Sequence, residues 1–229
     1  MPIMAARLYH DGKLVRDLGP DEAIPDDCDT GDFFWLGLYE PTPGELAGIA
    51  KRFGLHPLAV EDALKANQLP KVETYGDQLF IITRTANLDG DTIQPGETAF
   101  FIGPHFFVSV RHGSARTHTD VRARLESLPA KLAHGPDYVL YAVLDFIVDG
   151  YFPVIDAIEE RMLAVEDSVM DTPLDASEIR HLYKQRHEII RFQRLVGMMK
   201  EVAGRLTTDD DLPNIDPAVR PFYRDVWDH

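Results

Sequence analysis

The strongest constraint on the fold is a seven-residue rhythm in the C-terminal half of the chain. Leu144, Val148, Tyr151, Ile155, Ile158, Met162, Val165 and Val169 follow one another at spacings that alternate between four and three. An α-helix with about 3.6 residues per turn holds such positions on one stripe, and a second helix is what buries a stripe of that width. Further on, Leu182, Ile189, Phe192, Val196, Met199, Ala203 and Leu206 keep the same period. Between the two runs, Asp171-Thr172-Pro173-Leu174-Asp175 combines turn residues with helix-start residues. The pattern predicts a long antiparallel helical hairpin over residues 137–206, with these side chains in one seam. Pro153 lies inside the first run and predicts a local bend, because proline has no N–H to give to a helix.

Charge divides the hairpin unevenly. Residues 137–171 carry nine acidic side chains and only Arg161 as a base. Residues 178–206 carry seven bases against Glu178, Glu188 and Glu201. This predicts an acidic helix paired with a basic one, the charges fixing partner and register. It also leaves negative charge that could face a path for cations, although a solvated face on a structural hairpin gives the same pattern.

The first half follows different rules. Residues 2–10 and 13–17, joined at Asp11-Gly12, read as a β-hairpin. Residues 33–38 form an apolar strand, and residues 78–85, 98–102 and 106–110 read as neighbouring antiparallel strands. Thr42-Pro43-Gly44-Glu45 supplies an N-cap, a first-turn proline and a capping-box glutamate, and Gly54 closes that helix. A second helix runs from His56-Pro57 to Lys65, and a third covers residues 118–128. The expected fold class is α+β: over residues 1–130 a mixed sheet covered by helices (α/β/α), then a helical region over residues 131–229. Within it, Asp216-Pro217 opens a last helix over residues 216–229, with Phe222, Tyr223, Val226 and Trp227 on its apolar face. That pattern stops at His229 without a glycine, a cap or a basic last turn, so a helix that continues is expected.

Composition excludes several function classes. The net charge is −15 and the pI about 4.9, a balance that repels phosphate backbones and suits cations, so no nucleic-acid partner is expected. Acidity for solubility alone gives the same numbers. One cysteine, Cys28, rules out an intrachain disulfide and a cysteine-rich zinc site. The N-terminus lacks the basic and apolar regions of a signal peptide. No apolar run reaches the roughly 18–20 residues needed to span a bilayer, since Asp145 interrupts the densest stretch. His187-Glu188 lacks the spaced histidine of a zinc protease, His112-Gly113-Ser114 lacks a nucleophile elbow, and no glycine-rich phosphate loop is present. An enzyme is not expected.

Several stretches, taken together and in order, resemble the CorA family of magnesium transporters and its zinc-transporting relatives. They are residues 54–64 (Gly-Leu-His-Pro-Leu-Ala-Val-Glu-Asp-Ala-Leu), residues 68–73 with Tyr75, residues 137–141, residues 145–152, and residues 222–229 (Phe-Tyr-Arg-Asp-Val-Trp-Asp-His). Leu69 departs from the arginine common in the family. The resemblance implies a homopentamer in the cell (inner) membrane, with this segment cytoplasmic, residues 216–229 starting a stalk helix toward the pore, and membrane helices beyond His229. It also implies that Mg²⁺ is sensed by carboxylates at subunit boundaries, with bound ion favouring the closed state, and that Co²⁺ or Zn²⁺ can take its place. Carried over position by position, the metal candidates are Glu61, Asp62, Asp145, Asp225 and, more weakly, His229.

The chemistry of those residue types is compatible with that assignment. Mg²⁺ takes oxygen ligands at about 2.0–2.1 Å and keeps several waters, so a few carboxylates suffice. Asp225, Asp228 and His229 share one helix face. Glu61 and Asp62, about 100° apart on a helix, cannot aim at one spot, and near a helix N-terminus the dipole favours acids without any metal. Asp145 interrupts an apolar run, so it is either paired or functional. His229 gains interest if the ion is Zn²⁺ or Co²⁺. Two alternatives stay open: a zinc transporter of the same superfamily, and a soluble oligomeric cation-binding regulator.

Overall fold

Apolar residues at consecutive strand positions demand a cover on both faces, and the strands here receive one. The computed structural model describes residues 3–19, 29–90, 92–113, 116–171 and 175–229. The strands are β1 (Ile3–His10), β2 (Lys13–Asp17), β3 (Asp32–Tyr39), β4 (Lys71–Tyr75), β5 (Gln78–Asp89), β6 (Thr92–Gly103) and β7 (Phe106–Gly113). They form one sheet in the order β2-β1-β3-β7-β6-β5-β4. Every pair is antiparallel except β3 and β7, which run parallel with Leu36 opposite Val108. The sheet is therefore mixed, as expected.

Alternation along the strands sends side chains to two separate cores. On one face, Phe34, Leu36, Phe80, Phe101 and Val108 pack under α1 (Pro43–Phe53) and α2 (Pro57–Lys65). On the other, Trp35, Ile81, Phe100 and Phe107 pack under α3 (Thr119–Glu126), α4 (Pro129–Leu132), α5 (Pro136–Asp149), α6 (Phe152–Asp171), α7 (Ala176–Thr208) and α8 (Arg220–Asp228). This second core joins residues from both sides of position 130.

Local signals mostly act as their chemistry dictates. Thr42 and Glu45 close a reciprocal capping box on α1, and Gly54 ends it in the left-handed region at φ 61°. Gly12 turns the first hairpin at φ 73°, and a Cβ there would lie 2.0 Å from the Pro129 carbonyl oxygen, so α4 seats directly on the turn. Strand β4, with only Val72 buried, had no legible apolar alternation and was not expected.

The two helices face each other with one difference; the turn at residues 172–174 and the side chain of Val169 lie outside the described residues. The first helical run does not bend at Pro153; it stops at Asp149 and restarts at Phe152. The Gly150 N–H bonds back to Phe146 O and Ile147 O, and Pro153 then stands in a first turn, where its missing N–H costs nothing. Leu144, Val148, Tyr151 and Ile155 do meet Val196, Met199 and Ala203, but across a cleft of about 170 Å³. Farther out, Ile158 and Met162 face Ile189. Arg161 of α6 and Gln185 and Glu188 of α7 stand beside these apolar side chains.

The last helix starts at Arg220 rather than Asp216. Asp216 is occupied otherwise: its N–H donates to Asp137 Oδ2 at 2.9 Å, and its own Oδ1 caps a turn by accepting from Ala218 N at 2.8 Å. Residues 136–166 are long and apolar enough to cross a membrane by composition, yet half of an apolar 18-residue window within them is buried inside the protein. Val139, Val143, Leu144 and Ile147 of α5 belong to the core on the sheet, so α5 is a core helix.

Candidate metal centre

Packing of α8 against α5 decides where the acidic residues lie. Tyr223 is fully buried and donates from its hydroxyl to Asp137 O at 2.7 Å, while Val226 is 4% exposed. These contacts bring the C-terminal end of α8 over the C-terminal end of α5. Asp145 and Asp149, one turn apart on α5, then meet His229. One ligand atom from each of the three lies within 4.8 Å of the other two. His229 Nδ1 is 3.9 Å from Asp145 Oδ1, and its Nε2 is 3.9 Å from Asp225 Oδ1.

Such separations are too long for hydrogen bonds, and because the two ring nitrogens point away from each other, one ion would take only one of the two pairs. Two ligands at about 2.0–2.1 Å from one cation stand roughly 3–4 Å apart. Burial pushes the Asp145 carboxyl above the usual range; Asp149 adds to this, His229 opposes it, Asp225 adds to it again and Arg124 opposes it. A cation would reverse that balance, because it favours the ionised carboxylate. Beside the centre, Asp120, Arg124, Lys131, Tyr141, Asp145 and Asp149 border a cleft of about 180 Å³.

The five sequence candidates thus divide in two. Asp145 and His229 come together, and Asp225 lies beside the other ring nitrogen of His229. Glu61 and Asp62 lie on α2, which covers the opposite face of the sheet, so within one copy they do not join the others. Glu61 pairs with Lys65 one turn on. Asp62 accepts from Lys71 Nζ at 2.6 Å, and the same ammonium reaches Glu73 at 2.8 Å. Burial pulls the Lys71 pKa down, but hydrogen bonds to Asp62 and Glu73 outweigh it and leave the pKa raised. Asp149 was missed, although its spacing from Asp145 was a usable signal.

The same fold is found in solved structures of other proteins. The soluble domain of CorA from Methanocaldococcus jannaschii superposes with a TM-score of 0.76 at 19% identity, covering 99% of this chain and 88% of that one. The family described as CorA-like Mg²⁺ transporter protein matches residues 30–229, and the chain belongs to that family. It is 25% identical over 187 residues to the cobalt/magnesium transport protein CorA of Thermotoga maritima, covering 79% of this chain and 52% of that protein. Against YfjQ of Bacillus subtilis it is 26% identical over 197 residues, covering 86% of this chain and 60% of the relative. The chain therefore spans about half to three-fifths of these relatives, and the family is one of transporters rather than enzymes.

Proposed function

We propose that this chain is the cytoplasmic regulatory part of a homopentameric divalent-cation transporter of the cell membrane, one that carries Mg²⁺ and Co²⁺ and senses Mg²⁺ through carboxylates between subunits. The observation that carries this reading is the convergence of Asp145, Asp149 and His229, with the exposed Asp225 carboxylate beside them. Asp62 and Asp225 of neighbouring copies would share an ion, with Glu61 and Asp145 close by. Like charges at such boundaries repel by roughly 1–4 kcal/mol per close pair at the effective dielectric of a protein surface. An ion between them removes the repulsion and favours the compact, closed assembly, by no more than its preference for that state. Loss of Mg²⁺ lets the subunits separate.

The test is limited proteolysis with and without Mg²⁺. The parent chain should be protected by the ion, and Asp62→Ala with Asp225→Ala should abolish protection. Undiminished protection in the double variant would refute the assignment. A second reading, transport of Zn²⁺, is favoured by the imidazole of His229, a ligand suited to borderline metals. On that reading His229→Ala weakens Zn²⁺ binding while leaving Mg²⁺ protection intact.

A further inference from the structure

The free part of the hairpin carries charges that the chain does not use. Along α7, Arg180, Lys184, His187, Arg191 and Arg194 recur at alternating spacings of four and three, which places them on one stripe. Beside it runs a second stripe, Ile179, Tyr183, Arg186 and Ile190. Its apolar members are open to solvent: Ile179 is 43%, Tyr183 59% and Ile190 47% exposed. Among the described residues, Arg180, Lys184, Arg186, Arg191 and Arg194 make no hydrogen bond or ion pair.

The outer surface of α6 is the complement. Asp156 and Glu160 lead to Leu163 along one row, and Glu159, Leu163 and Glu166 form the row beside it. Leu163 is 61% exposed, and these four carboxylates also make no hydrogen bond or ion pair among the described residues. The two helices, opposite in charge, therefore turn these carboxylates and cations outward to solvent, while Ile158, Met162 and Ile189 face one another beside Arg161, Gln185 and Glu188. Lone apolar residues on a surface are ordinary, but three in helical register bordered by unpaired cations are the pattern of an interface.

We infer that the outer α7 face is a docking surface for the outer α6 face of a second copy of this chain. The two faces differ, so the contact is heterologous, the kind that builds a ring when its rotation closes. Exposed ion pairs contribute little each, so Ile179, Tyr183, Ile190 and Leu163 supply the buried area while the charges set register and exclude the wrong partner. The inference deepens the oligomer in the proposed function, and it does not depend on an ion.

The experiment is sedimentation velocity on the whole chain at low and high salt, with two charge-reversed variants. One carries Arg180→Glu, Lys184→Glu and Arg191→Glu; the other carries Glu159→Lys, Glu160→Lys and Glu166→Lys. The parent should self-associate, less so at high salt, and each variant alone should associate about tenfold or more weakly. Mixing the variants should restore association, because each then offers the charge its partner needs. Unchanged association in the single variants, or no rescue on mixing, overturns the surface and leaves Mg²⁺ protection through Asp62 and Asp225 as a separate question. A parent that stays monomeric but sediments with anionic vesicles assigns the basic stripe to lipid and also overturns the inference.

Discussion

His118 gives the sharpest link between packing and a measurable free energy. It is 5% exposed, stacked 6.2 Å from the Phe100 ring and edge-on to the Phe146 ring at 6.4 Å. Burial lowers its pKa to about 3, with Arg111 and then Arg122 acting in the same direction. The unfolded chain binds a proton at this residue with a pKa of about 6.5, whereas the folded chain does not. The folded value is depressed, so this contribution is complete above the unfolded pKa and is lost as pH falls toward about 3. Between about pH 7.5 and 5.5 the loss is about 1.4 kcal/mol, which moves a urea midpoint by roughly half a molar for a chain of this size. Urea unfolding of the parent and of His118→Phe at the two pH values isolates the term, since every other titrating group is common to both. The parent should show the extra loss and the variant should not. Equal losses in the two proteins would mean that the ring takes up its proton within the fold, refuting the reasoning.

Other expectations follow from single contacts. Tyr151→Phe removes the hydroxyl bond to Arg84 O and should cost about 1 kcal/mol, read from thermal unfolding. Asp137→Ala leaves the N–H groups of Tyr138 and Asp216 without their acceptor; a loss of about 2–4 kcal/mol and faster amide exchange across residues 216–228 should result. Gly12→Ala meets both a left-handed φ and the Pro129 carbonyl, so its destabilisation should exceed about 2 kcal/mol in chemical denaturation. Asp149→Ala should weaken Co²⁺ binding about tenfold by calorimetry, as expected for loss of one carboxylate ligand in three.

What was legible in the sequence was whatever short-range chemistry decides. Asp11-Gly12 gave the first turn, Thr42 and Glu45 the capping box, and the four-and-three spacing the hairpin. The parallel pairing of β3 with β7 joins residues about seventy positions apart, and no local signal encodes it. Strand β4 escaped notice because its edge position buries only Val72. The start of α8 was misplaced because Asp216 has cap chemistry but spends it on a turn tied to Asp137. Asp145 and Asp225 were carried over from the family resemblance position by position, whereas the sheet that separates Glu61 and Asp62 from them is a tertiary fact.

The break at Gly150 gives the hairpin a mechanical character. Helix α7, at about 1.5 Å per residue, is about 50 Å long, and its buried anchor begins at Phe192. The part before that anchor is a free arm of about 24 Å. A tilt of about 5° at the anchor displaces the tip by about 2 Å, while side chains beside the anchor hardly move. The arm thus multiplies small rotations at its base, and its resting angle is set where Tyr151 holds Arg84 O. Met162 and Ile189 face each other beside Arg161 and Glu188 along this arm.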